Sequence, residues 1–354
     1  MNYLDMKKLF ALAFLVFLSA TTIQASILIL DQSASAPAGN FSTFTAAQTA
    51  AVNGDTILVI PNSATYGSIA ISKPLVLMGI GFNPDNEFGL TSTFTSIVIN
   101  VGVADGTQII GVVSNSVTIG NTSGTVSNIL IENCQIAQLT HSATVISNVI
   151  IRQNLFQTAT NTIPITLTAG NQSNIIVTNN LFSSTGTAVY GPYVSTGGVI
   201  FDHNIFLTSS RGAFYQLVNS VVRNNIFYGR NITSETGFTN VLFENNLSFN
   251  ATTMDLPPTS GTNVRGTNNL VNQDPQFVNL PAGTSTFNFT MDANLNTGSV
   301  ALLAGADGTD LGVYGGSSPY KDSGSVLPVV KQFIMPSNVQ QGTDTNADVI
   351  ITGN

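Results

Sequence analysis

One six-residue pattern recurs along the middle of this chain: "IENCQI", "IRQNLF", "VTNNLF", "FDHNIF", "VRNNIF" and "FENNLS". Each copy sets two amides, or stand-ins for them, inside an apolar run. Aligned on the second amide position, the series is Cys134, Asn154, Asn180, Asn204, Asn225 and Asn246. The steps are 20, 26, 24, 21 and 21 residues, and "TNNLV" adds Asn269 after 23 more. A fixed motif on a drifting period marks a solenoid whose coils share strands but differ in loops.

The coils are rich in Val, Ile, Phe and Thr, and Gly and Asn interrupt them too often for long helices. Short strands on a coil of this length predict an all-β fold, a parallel β-helix whose equivalent residues stack about 4.8 Å apart. The amide pair then has two tasks. At a sharp bend one residue must be left-handed, which Asn tolerates better than most non-glycine residues. Its neighbour can bond to its own copies above and below, as stacked asparagines do. Asn154, Asn180, Asn204, Asn225 and Asn246 are the expected ladder, with Phe156, Phe182, Phe206 and Phe227 stacked inside.

Three further stretches carry a family resemblance. "FTAAQTAAVNGDTILVIPNSATYGSIAISKPLVLMGIG" (Phe44–Gly81) is similar to the opening of one class of solenoid. "NLVNQDPQFVN" (Asn269–Asn279) and "GSVALLAGADGTDLGVYGG" (Gly298–Gly316) are similar to its closing segments. With the repeated coils, the chain resembles the right-handed parallel β-helix proteins of the pectin-lyase-like superfamily, over roughly residues 40–316. The resemblance implies a single-stranded right-handed solenoid with a short N-terminal capping helix. It implies no activity, because the fold carries many. The domain reading is residues 1–25 as a signal peptide, 26–316 as the β-helix and 317–354 as a C-terminal tail or anchor broken by Pro319, Pro328 and Pro336.

The N-terminus supports export. Lys7 and Lys8 precede "LFALAFLVFLSA", and "TIQAS" offers cleavage after Ala25. The apolar run is short for a membrane span and no later segment qualifies, so a secreted, extracellular or cell-surface protein is expected, or a periplasmic one. Of 10 basic and 18 acidic residues, Lys7, Lys8 and Asp5 go with the signal, which leaves 8 against 17, a net charge of −9. An acidic chain without basic clusters argues against nucleic acid. One cysteine permits no internal disulfide, and two histidines are too few for a His- or Cys-ligated transition metal. No cofactor is expected. Oxygen-ligated calcium is left open, without a supporting motif: "GFNPDNEFG" gathers Asn83, Asp85, Asn86 and Glu87, but not at EF-hand spacing.

Alternation along "NVIIRQN" turns Val149 and Ile151 inward and Ile150 and Arg152 outward. The Arg152 column reads Glu132, Arg152, Thr178, Asp202, Arg223, Glu244. Such a column is either a ladder of opposite charges or a site. As a site, Asp202 and Glu244 would stand two rungs apart, roughly 9.6 Å, at the upper edge of the about 6.5–9.5 Å used by inverting glycosidases. Arg223 between them works against a general acid. These three are the catalytic candidates, none of them firm. "FDHNIF" resembles the "DH" rung of pectate lyases, but "LTSS" follows where the acidic calcium ligand is due. The polygalacturonase "NTD", "GHG" and "RIK" motifs are absent. His203 therefore reads as a substitute for an asparagine.

The outward column one step earlier, Leu130, Ile150, Ile176, Ile200, Val221 and Leu242, is wholly aliphatic. Such a stripe is expected to be covered by the tail, a loop or a partner protein. Tyr190 and Tyr193, in the insertion "TAVYGPYVSTGG", either stack on sugar rings or pack the loop. Two functions follow. The first is a non-catalytic surface protein that binds glycans or another protein. The second is a polysaccharide lyase or glycoside hydrolase acting on extracellular polysaccharide.

Overall fold

The computed structural model describes residues 25–83, 89–168, 170–186 and 188–321, and the backbone of strands Val329–Ile334 and Asp348–Thr352. Most of the N-terminal stretch read as a signal peptide and the core of the "GFNPDNEFG" loop lie outside the described residues. The fold is an all-β parallel solenoid of about nine turns, consistent with the right-handed β-helix. Twenty-two strands join in one parallel ladder. Helix α1 (Phe44–Ala50) lies near its start, opened by Thr43, whose side chain accepts from the Ala46 amide. Phe44 and Ala47 enter the hydrophobic core.

The register follows the motif residue by residue. Val145–Arg152 pairs with Thr125–Glu132 on one side and Asn171–Thr178 on the other, with Arg152 opposite Glu132 and Thr178. The next rungs place Thr178 against Asp202, Asp202 against Arg223, and Arg223 against Glu244. Val149 and Ile151 are fully buried, and Ile150 and Arg152 half-buried. Inside, the rings of Phe156, Phe182, Phe206 and Phe227 stack at centroid separations of 5.0, 4.5 and 5.0 Å. Pairs of this kind contribute about 0.5–1.5 kcal/mol beyond the area they bury.

The two amide positions divide the work. The first is the bend: Asn133, Gln153, Asn179, His203, Asn224, Asn245 and Asn268 all have φ between 50 and 58°. The second is the buried ladder. The Asn180 Oδ1 accepts from the Asn154 backbone amide at 3.0 Å and from its Nδ2 at 2.9 Å. Asn204, Asn225, Asn246 and Asn269 repeat this down the stack. Each ladder Nδ2 also reaches a backbone carbonyl, such as Val177 from Asn204.

A second asparagine ladder lies five residues upstream of the bend position. Asn128, Asn148, Asn174, Asn219, Asn240 and Asn263 are also left-handed. Their side chains bond in sequence, Asn148 to Asn128 at 3.1 Å and Asn174 to Asn148 at 2.9 Å, then Asn240 to Asn219 at 2.8 Å. Gly198, with φ of 80°, holds this bend in the coil between Asn174 and Asn219. A segment such as Val149–Arg152 or Ile175–Thr178 therefore sits between two left-handed corners.

After the last coils the chain turns back. Phe277–Asn279 and Asp292–Leu295 form an antiparallel pair, and residues 299–320 run as a strap up the outside of the bend column. Asn245 donates to the Ala304 carbonyl, Asn179 to the Val313 and Gly315 carbonyls, and Gln153 to the Pro319 carbonyl. Leu311 and Val313 pack with Leu155, Leu181, Ile205, Ile226 and Leu247, the outward residues after each amide pair. The strap thus covers an aliphatic column, but a different one from that singled out by sequence. Leu130, Ile150, Ile176, Ile200, Val221 and Leu242 remain half-buried, each stacked on the next. Ser318, Pro319 and Tyr320, read by sequence as tail, pack on Arg152, Gln153 and Phe82.

Candidate functional site

The charged column forms as aligned, and its members pair with one another. Arg152 Nη2 lies 3.0 Å from Glu132. Arg223 donates to Asp202 Oδ2 from Nε at 3.0 Å and from Nη2 at 2.9 Å, while Asn224 donates to Oδ1 at 2.8 Å. Asp202 is thus engaged on both oxygens by its neighbours in the ladder. Glu244, on the next rung, makes no ion pair among the described residues.

His203 is 2% exposed and lies beneath the strap. Its Nε2 is 3.2 Å from Asp307 Oδ2, 3.2 Å from the Asn224 amide nitrogen and 3.7 Å from Asp202 Oδ1. Gly315 and Gly316 press on the ring; a Cβ at Gly315 would come within 2.5 Å of Nδ1. Partial burial raises the Asp307 pKa, but the Thr309 hydroxyl and amide together with His203 outweigh it and hold the carboxyl below its usual value. His203 is therefore a bend residue locked under a cover, out of reach of a large substrate. No group of three or more His, Cys, Asp or Glu suited to a metal ion occurs among the described residues.

Tyr190 and Tyr193 come together with Tyr215 from the next coil, at ring separations of 5.2 and 4.9 Å. Arg211 lies 4.6 Å over the Tyr190 ring and 3.6 Å from Glu235. One face of Tyr190 is thus already occupied, and the tyrosines pack the loops. Arg230 locks these loops from below. It is fully buried and donates to the Gly212 carbonyl at 3.1 and 2.8 Å and to the Val189 carbonyl at 2.9 Å. Burial pulls its pKa down to about 9, against the attraction of Glu235. Ser209 adds a second staple, its hydroxyl bonded to both the amide and the carbonyl of Val189.

The turn Thr208–Ser210, just before Arg211, borders an open groove of about 690 Å³. Its floor is built from turns of three successive coils, at Thr208–Ser210, Gly229–Asn231 and Asn250–Met254, and Gly283 and Ser285 close its far side. Backbone bonds from Thr208 to Thr284 and from Ser184 to Ser285 fix that far wall. No lining residue is charged. The side chains of Ser210, Asn250, Thr252 and Asn272 make no hydrogen bond among the described residues, so their donors and acceptors are free for a bound molecule. Sequence reading missed this groove, because its lining comes from the irregular turns between strands. The trace in the sequence is the cluster of small polar residues after the aromatic in two of the three coils, "FLTSS" and "FNATT".

Among the described residues no helix is long and apolar enough to cross a membrane. No family model matches the chain, and no curated protein matches it either.

Proposed function

We propose that the protein is a secreted surface β-helix of the pectin-lyase-like kind that binds glycans without transforming them. The observation that carries this reading is the groove beside the Arg230-locked loops, with Ser210, Asn250, Thr252 and Asn272 unengaged along it. Hydroxyls and amides are the groups that pair with sugar hydroxyls, and a concave site with a few convergent polar groups is the usual form of a binding site. The export motif "MKKLFALAFLVFLSA" and the cleavage signal at Ala25 support an extracellular setting.

A glycan array, run beside reducing-sugar and unsaturated-product assays over a polysaccharide panel, tests the proposal. Binding without turnover is expected. Turnover of any polysaccharide, abolished by Asp202→Asn or Arg223→Ala, would move the function to the charged column and make the protein a lyase or hydrolase.

A further inference from the structure

We infer that the groove selects uncharged glycan chains, laid along the solenoid axis. This rests on the glycan-binding reading and narrows it to a ligand class. Thr208, Gly229 and Asn250 hold equivalent positions in three consecutive coils, as the pairings of Ser209 with Arg230 and of Tyr228 with Phe249 show. The floor therefore repeats every strand spacing, about 4.8 Å along the axis, a step comparable to one sugar ring in an extended chain. Gly229 leaves the middle coil open, and its Asn231 is held by the Thr252 and Thr253 amides. The free polar groups are therefore Ser210 on one side and Asn250 and Thr252 two coils on, roughly 9.6 Å apart along the axis. A linear polymer lying along the axis can meet both, and one lying across it cannot.

The choice of an uncharged chain follows from the electrostatics. Carboxylate and sulfate groups are recognised by Arg and Lys, most tightly by the two-pronged guanidinium. The groove lining offers neither. The two arginines of the adjoining loops are engaged elsewhere, Arg211 with Tyr190 and Glu235, and Arg230 with buried carbonyls. The chain as a whole carries a net charge of −8, so a polyanion approaches against a repulsive field. Ala251 and Met254 add apolar surface for the carbon-bound hydrogens of a sugar ring.

The test is titration of the intact protein with neutral glucans, mannans, xylans and galactans, and with polygalacturonate, alginate and a sulfated galactan, each at low and high salt. Binding to at least one neutral polymer, little changed by salt, with no binding to the polyanions, is the expected result. The double variant Ser210→Ala/Thr252→Ala should weaken that binding about tenfold, the loss of one or two hydrogen bonds, with an unchanged melting temperature. Preferential, salt-sensitive binding of a polyanion would overturn this inference and leave the glycan-binding reading standing. Binding of no glycan at all would overturn both. Full retention of binding in the double variant would overturn the assignment to this groove.

Discussion

His203 Nε2 lies 3.2 Å from Asp307 Oδ2, although 104 residues separate the two. That contact ties a solenoid corner to the strap that returns over it, and it makes the strap a latch over the column Leu155, Leu181, Ile205, Ile226 and Leu247. Gly315 permits the close approach, since a Cβ there would meet the Asp310 carbonyl oxygen and the His203 ring. Gly315→Ala should destabilise the protein by about 1–3 kcal/mol through overpacking and raise binding of a hydrophobic dye. Asp307→Asn should loosen the same segment. Because the Asp307 pKa is depressed in the folded protein, its contribution is present above the ordinary carboxylate value of 3.8. It fades as pH falls through the lower folded value. Amide exchange across residues 300–320 should therefore rise in strong acid, and less steeply in Asp307→Asn.

The two asparagine ladders should respond differently to loss of the side-chain amide. Asn204 is fully buried and pairs with Asn180, Asn225 and Val177. Asn204→Ala strands several buried donors and acceptors, at about 1–3 kcal/mol each. Asn148 is exposed, and Asn148→Gly keeps the left-handed bend, so denaturant unfolding should show a loss below about 1 kcal/mol. Equal losses would contradict the assignment of the buried column as the structural ladder.

Arg230→Met removes the guanidinium that joins the Val189 and Gly212 loops while keeping its bulk. The Gly212 carbonyl loses its donor and the Val189 carbonyl keeps only Ser209, and a loss of about 1–3 kcal/mol is expected by thermal unfolding. Arg230→Lys should recover only part of it, because an ammonium cannot bridge both carbonyls in the same fork geometry. Glycan affinity should fall in step, since the turn that carries Gly212 also supplies Thr208, Ser209 and Ser210 to the groove.

The lone cysteine reports on the same architecture. Cys134 is fully buried, and burial pushes its thiol pKa up to about 12. Its Sγ faces the Glu132 carbonyl at 3.1 Å. A thiol reagent at neutral pH should leave the native protein unmodified for hours and label it within minutes in denaturant. Rapid native labelling would show that the coil around Cys134 opens.

Much of the solenoid was legible because stacking repeats the same physics in every coil. The Arg152 column could be aligned from Glu132 to Glu244 because strand alternation and the left-handed bend fix a residue's face once the motif is in register. The upstream ladder at Asn128, Asn148 and Asn174 was equally periodic, in "VSNIL", "ISNVI" and "QSNII", yet a single asparagine ahead of an apolar run reads as an ordinary strand start. The strap was beyond reach for another reason. Its partners lie 59 residues away for Asn245 and Ala304 and 134 for Asn179 and Val313, and no local pattern sets which outer column it covers. The groove depends on the turn conformations at Thr208, Gly229 and Asn250, where the sequence shows only small polar residues.

The central claim is that the groove is the ligand site. It is tested most directly by calorimetric titration of Ala251→Trp with the best neutral glycan from the array. An indole at this half-buried groove position should abolish binding while the melting temperature stays that of the parent protein. Undiminished affinity in a folded Ala251→Trp protein would contradict the account.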